Sequence, residues 1–208
     1  KKLKDEFIQL STDVSANLKN AVTCISTHDT ALAEEVFKND ADINAKEIEV
    51  EEECLKILAL HQPLAIDLRY VVAILKVTND LERIGDLAVN IAKSSNALKD
   101  SQKEDIVFDF DKMASLTIEM VDKSISSLIN SDAKAAEDVF KMEAAVDSLN
   151  REMYVEVESN LKKAPEKAFF LMHNIGISKN LERIADHAEN IAEDVIYLTK
   201  GQIIRHGH

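Results

Sequence analysis

Tryptophan is absent from this chain of 208 residues, glycine occurs only four times and proline twice. A β-rich domain needs turn formers at every strand connection, so this scarcity argues against one and favours long helices with few breaks. Cysteine is limited to Cys24 and Cys54. Two thiols make no disulfide framework, and the expected setting is a reducing cytoplasm. No apolar run approaches the ~20 residues of a membrane span; the longest is Val71 to Leu75. The opening Lys-Lys-Leu-Lys-Asp-Glu-Phe lacks the apolar centre of a signal peptide. Basic excess is missing too: 25 Lys and Arg stand against 38 Asp and Glu, for a formal charge of −13, and the bases form no local patch. Such a chain repels nucleic acid and anionic membrane surfaces, so neither nucleic-acid binding nor membrane insertion is expected. Cations and basic protein faces are the natural partners. Enzyme signatures are also absent: no Gly-rich phosphate loop, no Gly-x-Ser-x-Gly, no His-Glu-x-x-His and no Glu-x-x-His of the di-iron bundles. The chain therefore reads as something other than an enzyme.

What is present is periodicity. Leu3, Phe7, Leu10, Val14, Leu18, Ala21 and Ile25 step by four and three, which predicts a first helix from about Leu3 to Thr27 with one buried face. Asp29 or Thr30 caps a second helix that runs to about His61. Pro63 opens a third, from Leu64 to about Ala97, since proline fits a helix's first turn and not its interior. The polar stretch from Ser94 to Asp111 reads as a linker. A fourth helix reaches about Asn130, a fifth runs from Asp132 to about Lys163, and Pro165 opens a sixth that ends near Gly201. The halves repeat. Ala33-Glu-Glu-Val-Phe-Lys38 matches Ala136-Glu-Asp-Val-Phe-Lys141, and the segment from Leu81 to Ala92 matches that from Leu181 to Ala192 at nine of twelve positions. This is a duplicated unit. The expected fold is all-α: a tandem repeat of two antiparallel three-helix bundles, residues 1–98 and 109–205, joined by a linker at 99–108.

Candidate chemistry lies in carboxylates four residues apart, which share a helix face. Helix 3 carries Glu82 and Asp86, helix 6 carries Glu182 and Asp186, and helix 5 carries Glu143 and Asp147; the matching place in helix 2 holds Asp40 and Asn44. Like charges at this spacing repel, and a bound cation reverses the sign. Two stripes compete for the core face of helix 3. Leu68, Leu75, Glu82 and Val89 recur every seven residues and would turn the acid inward. Leu81, Ile84, Ala88 and Ile91 would leave it at the edge. Inward carboxylates need a partner or must protonate. Oxygen-rich clusters suit hard cations such as Mg²⁺, Ca²⁺ and Mn²⁺, and Fe and Zn also accept carboxylates. The bland alternative is a solvated acidic face. Cys24 and Cys54 read as small buried hydrophobes.

The segments Asp80-Leu-Glu-Arg-Ile-Gly-Asp86 and Asn180-Leu-Glu-Arg-Ile-Ala-Asp186 resemble the phosphate-uptake regulator family, PhoU. So do His61-Gln-Pro-Leu-Ala-Ile-Asp-Leu-Arg69 and Glu193-Asp-Val-Ile-Tyr-Leu-Thr-Lys-Gly201. The resemblance implies two bundles related by a pseudo-twofold in a cytoplasmic negative regulator of the phosphate-starvation response. It implies an adaptor between the ATPase subunit of a phosphate ABC transporter and a phosphate-sensing histidine kinase. It also implies metal ions, iron or zinc foremost and Mg, Mn, Ca or Ni as others, on two clusters. One is Asp40, Asn44, Glu82 and Asp86; the other is Glu143, Asp147, Glu182 and Asp186. Asn44 departs from the acidic pattern and Leu87 stands where the second half has His187, so the first cluster is expected to bind more weakly or to hold fewer ions. A homodimer is expected because long amphipathic bundles self-associate. The rivals are a carboxylate-bridged metalloenzyme and a metal-free helical scaffold.

Overall fold

The computed structural model describes residues 1–101 and 108–201. Six helices follow in order: α1 Lys2–Thr27, α2 Thr30–His61, α3 Ala65–Ala97, α4 Asp111–Asn130, α5 Ala133–Lys163 and α6 Ala168–Lys200. Short 3₁₀ turns occupy Lys99–Ser101 and Pro165–Lys167, and among the described residues there is no strand. Part of the expected linker, 102–107, lies outside the described residues.

Matching devices set the helix ends in the two halves. Asp29 caps α2 by accepting from the Ala31 and Leu32 amides at 2.8 and 3.1 Å. Asp132 caps α5 by accepting from Lys134 and Ala135 at 3.0 and 3.1 Å. Each satisfies amides that a helix start leaves without partners. Ahead of them, α1 and α4 end on the left-handed residues His28 and Ser131. The prolines act one step earlier than expected. Pro63 precedes α3 by two residues, and Pro165 opens a 3₁₀ turn before α6. Proline pushes the residue before it out of the α region, so each long chain segment breaks there.

α1, α2 and α3 pack as one antiparallel bundle and α4, α5 and α6 as the other. The two bundles join mainly through α3 and α6. These run antiparallel, as Asp80 with His187 and Lys76 with Asp194 show. That pairing relates the halves by a pseudo-twofold. On α3 the core face is Leu81, Ile84, Ala88 and Ile91, each fully buried, and on α6 it is Leu181, Ile184, Ala188 and Ile191. The competing seven-residue stripe is the flank over most of its length: Leu68 is exposed, Leu75 and Glu82 are half-buried, and only Val89 at its end is buried. The acids of both helices therefore line the margin of the core, facing the second helix of their own bundle. Cys24 and Cys54 are fully buried, and loss of solvation pushes their thiols up to about 11 and about 12.

Candidate metal centres

In the first bundle, Val36, Ile43 and Val50 anchor α2 in the core at seven-residue steps. Asp40, Asn44 and Glu47 fall between these anchors at half-buried positions that follow the same four-three spacing. From α3, half-buried Glu82 and Asp86 meet them. Gly85 lies between the two acids, and a Cβ placed on it would stand 3.5 Å from Asp40 Oδ1. The Asp40 carboxylate thus nearly touches the α3 backbone. Two oxygens in this cleft, Asp40 Oδ1 and Asn44 Oδ1, are buried without a hydrogen bond, while the buried Glu82 Oε2 meets the Arg83 guanidinium instead. The Asn44 amide donates to Asp40 Oδ2 at 3.4 Å, and Arg83 reaches Glu82 at 3.3 Å and Asp86 at 3.6 Å.

The electrostatics follow. Burial, and then the Asp86 charge, raises the pKa of Asp40. Burial and Asp86 also raise Glu82, with Asp40 adding to the effect and Arg83 opposing it. Burial, Glu51 and Glu82 raise Glu47. Asp40, Glu47 and Glu82 are thus each penalised for their charge by a neighbouring acid, the condition that a cation relieves.

The second bundle repeats the arrangement with one more acid. Val139, Val146 and Met153 are core anchors of α5 at seven-residue steps, with Glu143 between the first two and Asp147 between the last two. Glu143 is pushed up to about 7 by burial, then by the charges of Asp147, Glu189 and Asp186. Asp186 is open to solvent on one side yet crowded around its carboxyl; burial there, then Glu182 and Asp147, raises its pKa. Glu182 is held by Lys179, whose Nζ donates to both carboxylate oxygens at 2.8 and 2.6 Å. Arg151 reaches Asp147 at 3.3 Å. His187 turns away from this cluster and pairs with Asp80 of α3 at 2.8 Å, across the junction of the halves.

Charge contacts link Asp40 with Glu82 and Asp86 in the first half, and Glu143 and Asp147 with Asp186 in the second. Reading the sequence missed Glu47, Glu189 and Lys179. Glu47 lies seven residues after Asp40, and Glu189 seven after Glu182, so spacing carried a signal for both. Lys179 has Asn79 as its counterpart in the first half, and no repeat marked it. The donor set is all oxygen, which fits a hard cation or iron better than a thiolate-seeking ion. Among the described residues, no three His, Cys, Asp or Glu side chains are gathered closely enough to hold an ion as they stand.

This combination defines a class: a duplicated helical-bundle protein with an acidic cleft on each half. A family model described as the PhoU domain matches residues 7–95 and 110–195. The chain belongs to the PhoU family. It is 34% identical over 205 residues to the phosphate-specific transport system accessory protein PhoU homolog of Aquifex aeolicus, covering 99% of this chain and 93% of that protein. Its fold is similar to the crystal structure of PhoU from Pseudomonas aeruginosa, with a TM-score of 0.93 and 31% identity over 97% of each chain. It is also similar to the phosphate transport system regulatory protein PhoU from Streptococcus pneumoniae, with a TM-score of 0.89 and 27% identity over 98% of this chain and 96% of that one. These relatives are named as accessory and regulatory proteins.

Proposed function

We propose that this chain is a regulator of phosphate uptake that acts by contact. In this reading it restrains the phosphate-starvation response in the cytoplasm, as a homodimer, by joining the ATPase subunit of a phosphate ABC transporter to a phosphate-sensing histidine kinase. Membership of a family whose members are named accessory proteins of phosphate-specific transport supports the role. Among the described residues no helix is long and apolar enough to cross a membrane, so contact with the transporter is made through the surface of the bundles.

The proposal includes a cation on each acidic cleft, iron or zinc foremost. The observation that carries it is two buried α2 oxygens without hydrogen bonds, Asp40 Oδ1 and Asn44 Oδ1, in a cleft shared with the α3 acids Glu82 and Asp86. Asp40, Asn44, Glu82 and Asp86 would hold one ion; Glu143, Asp147, Glu182 and Asp186 would hold the other. A bound cation supplies the positive charge that offsets carboxylate repulsion. The residues' own work is to tie α2 to α3 and α5 to α6, and to release Arg83, Arg151 and Lys179 from their present pairs. Those three pairs also support a second reading, a metal-free scaffold whose bases already neutralise the acids.

Elemental analysis of protein purified without chelator separates the two. Asp40→Ala/Glu82→Ala and Glu182→Ala/Asp186→Ala are each expected to lower bound metal by about half. Equally low metal in wild type and both variants would leave the scaffold. Pull-down with the ATPase subunit and with the kinase's cytoplasmic portion tests the adaptor role, and failure to retain either one ends it.

A further inference from the structure

The second helices of the two halves carry the same polar groups in a different order. At corresponding places, α2 has Asp40, Asn44 and Glu47, and α5 has Glu143, Asp147 and Asn150. Each triple holds two carboxylates and one amide. The amide comes second in α2 and third in α5, so the charge missing at Asn44 returns about one turn further along at Glu47. The core anchors beside the triples also correspond, Ile43 with Val146 and Val50 with Met153. The third helices differ to match. In the second half Asn150 is buried, and the fully buried Ser178 of α6 donates to its Oδ1 at 2.8 Å. The corresponding residues of the first half are Glu47 and Thr78. Thr78 is fully buried on α3, one turn before Glu82, and its hydroxyl has no hydrogen-bond partner. By the correspondence of the halves, Glu47 is the side chain across from it. A buried hydroxyl without a partner is costly, and a carboxylate at 47 is an acceptor for it.

The bases are shared out unequally. In the second cleft Lys179 donates to both Glu182 oxygens, and Arg151 reaches Asp147. The first cleft has Asn79 and Ile48 at those two places. There Arg83 pairs with Glu82 and Asp86 while its side chain is 54% exposed, and Lys93 is the smallest influence on Asp40. His187 acts on one acid of each cleft, Glu82 and Asp186, so it does not separate them. Burial, Glu51 and Glu82 all act on Glu47 in the direction that disfavours its charge. A cation entering the second cleft displaces a lysine held by two oxygens and an arginine as well. One entering the first displaces a single arginine that is already half in water, where an exposed ion pair holds little energy.

We infer that Glu47 is a cation ligand of the first cleft, positioned by the Thr78 hydroxyl, and that this cleft binds a cation more tightly than the second. The inference rests on the proposed cation clefts, and it reverses the order that Asn44 alone suggests. The probe is Mn²⁺, a cation suited to oxygen ligands, titrated into the full chain with the free ion counted by electron paramagnetic resonance. Glu182→Ala/Asp186→Ala leaves the first cleft alone and is expected to show the tighter constant. Asp40→Ala/Glu82→Ala leaves the second and is expected to show the weaker. Glu47→Gln keeps the side chain's length and removes its charge. It is expected to weaken the tighter step about tenfold and to leave the other within about twofold. Thr78→Val is expected to weaken the same step by a smaller factor, and Thr78→Ser to restore it, which a purely structural role would not produce. Melting curves in chelator check that each variant is folded. A first-cleft constant equal to or weaker than the second's, or a Glu47→Gln titration that matches wild type, would overturn the inference and leave the clefts standing as cation sites. Wild type that takes up no Mn²⁺ would overturn it too, and the elemental analysis above then decides the clefts themselves.

Discussion

Glu143 concentrates the chemistry of the second cleft in one side chain. Its carboxyl titrates at about 7 instead of 4.5, because it is buried and faces Asp147, Glu189 and Asp186. The fold therefore prefers the neutral form. The stability this confers is fully present below the ordinary value and is lost as pH rises from about 4.5 through about 7. Above that range the charged form is held against its neighbours. In protein stripped of metal with chelator, Glu143→Gln should be more stable than wild type at pH 8 by on the order of 1 kcal/mol, and nearly equal to it at pH 5. Urea unfolding at the two pH values checks this. An advantage of the same size at both would mean that relief of packing, not of charge, explains the variant. Addition of a divalent cation at pH 8 should shrink the difference, because the ion stabilises the wild-type carboxylate and not the amide.

At the scale of the helix, capping controls where each bundle turns. Asp29 and Asp132 each accept two backbone amides at the start of the second helix of their half. Asp29→Ala and Asp132→Ala should each cost about 1 kcal/mol, with Asn at either place recovering most of it. Chemical denaturation measures both, and a cost well under half of that would show that water serves those amides as well. The Asp29 cap, with Thr30 as its alternative, and Asp132 as the start of the fifth helix were legible in the sequence, as were the six helices and the internal repeat, because a buried stripe and a capping side chain are local signals. The face that α3 turns inward was not. Leu81, Ile84, Ala88 and Ile91 and the seven-residue series through Glu82 are both periodic, and only packing against neighbouring helices decides between them. The same limit hid part of the site. Asp40, Glu82, Glu143 and Glu182 stood out because their acidic pairs repeat between halves or recur at one spacing. Glu47 and Glu189 are opposed by Asn150 and Val89, so the repeat did not mark them, although α2 and α6 bring them to the same clefts. Lys179 stands three residues before its partner Glu182, a spacing that does foretell an ion pair, but Asn79 in the first half left it unmarked by the repeat.

For the whole molecule, the question is whether duplication leaves two independent units or one. The seam between α3 and α6 is both apolar and polar. One hydrophobic core runs through both halves, while Asp80 with His187 and Lys76 with Asp194 bridge the seam at 2.8 and 2.5 Å. At the other helix pair, Lys19 and Ser15 of α1 both reach Asp122 of α4, at 2.8 and 2.5 Å. Opening one bundle would expose the α3 or α6 face on which the other rests, so unfolding of either half removes support from its partner. A single transition is expected in scanning calorimetry, with calorimetric and van't Hoff enthalpies equal. Leu81 and Leu181 are fully buried at equivalent places. Leu81→Ala and Leu181→Ala should each cost roughly 2–5 kcal/mol and move that one transition as a whole. A wild-type trace with two peaks, or a variant that lowers one peak and leaves the other in place, would show the halves to be thermodynamically separate. The seam would then be a docking contact between two domains, free to change when one acidic cleft is filled. A single cooperative unit instead means that an ion bound at either cleft raises the stability of both halves together.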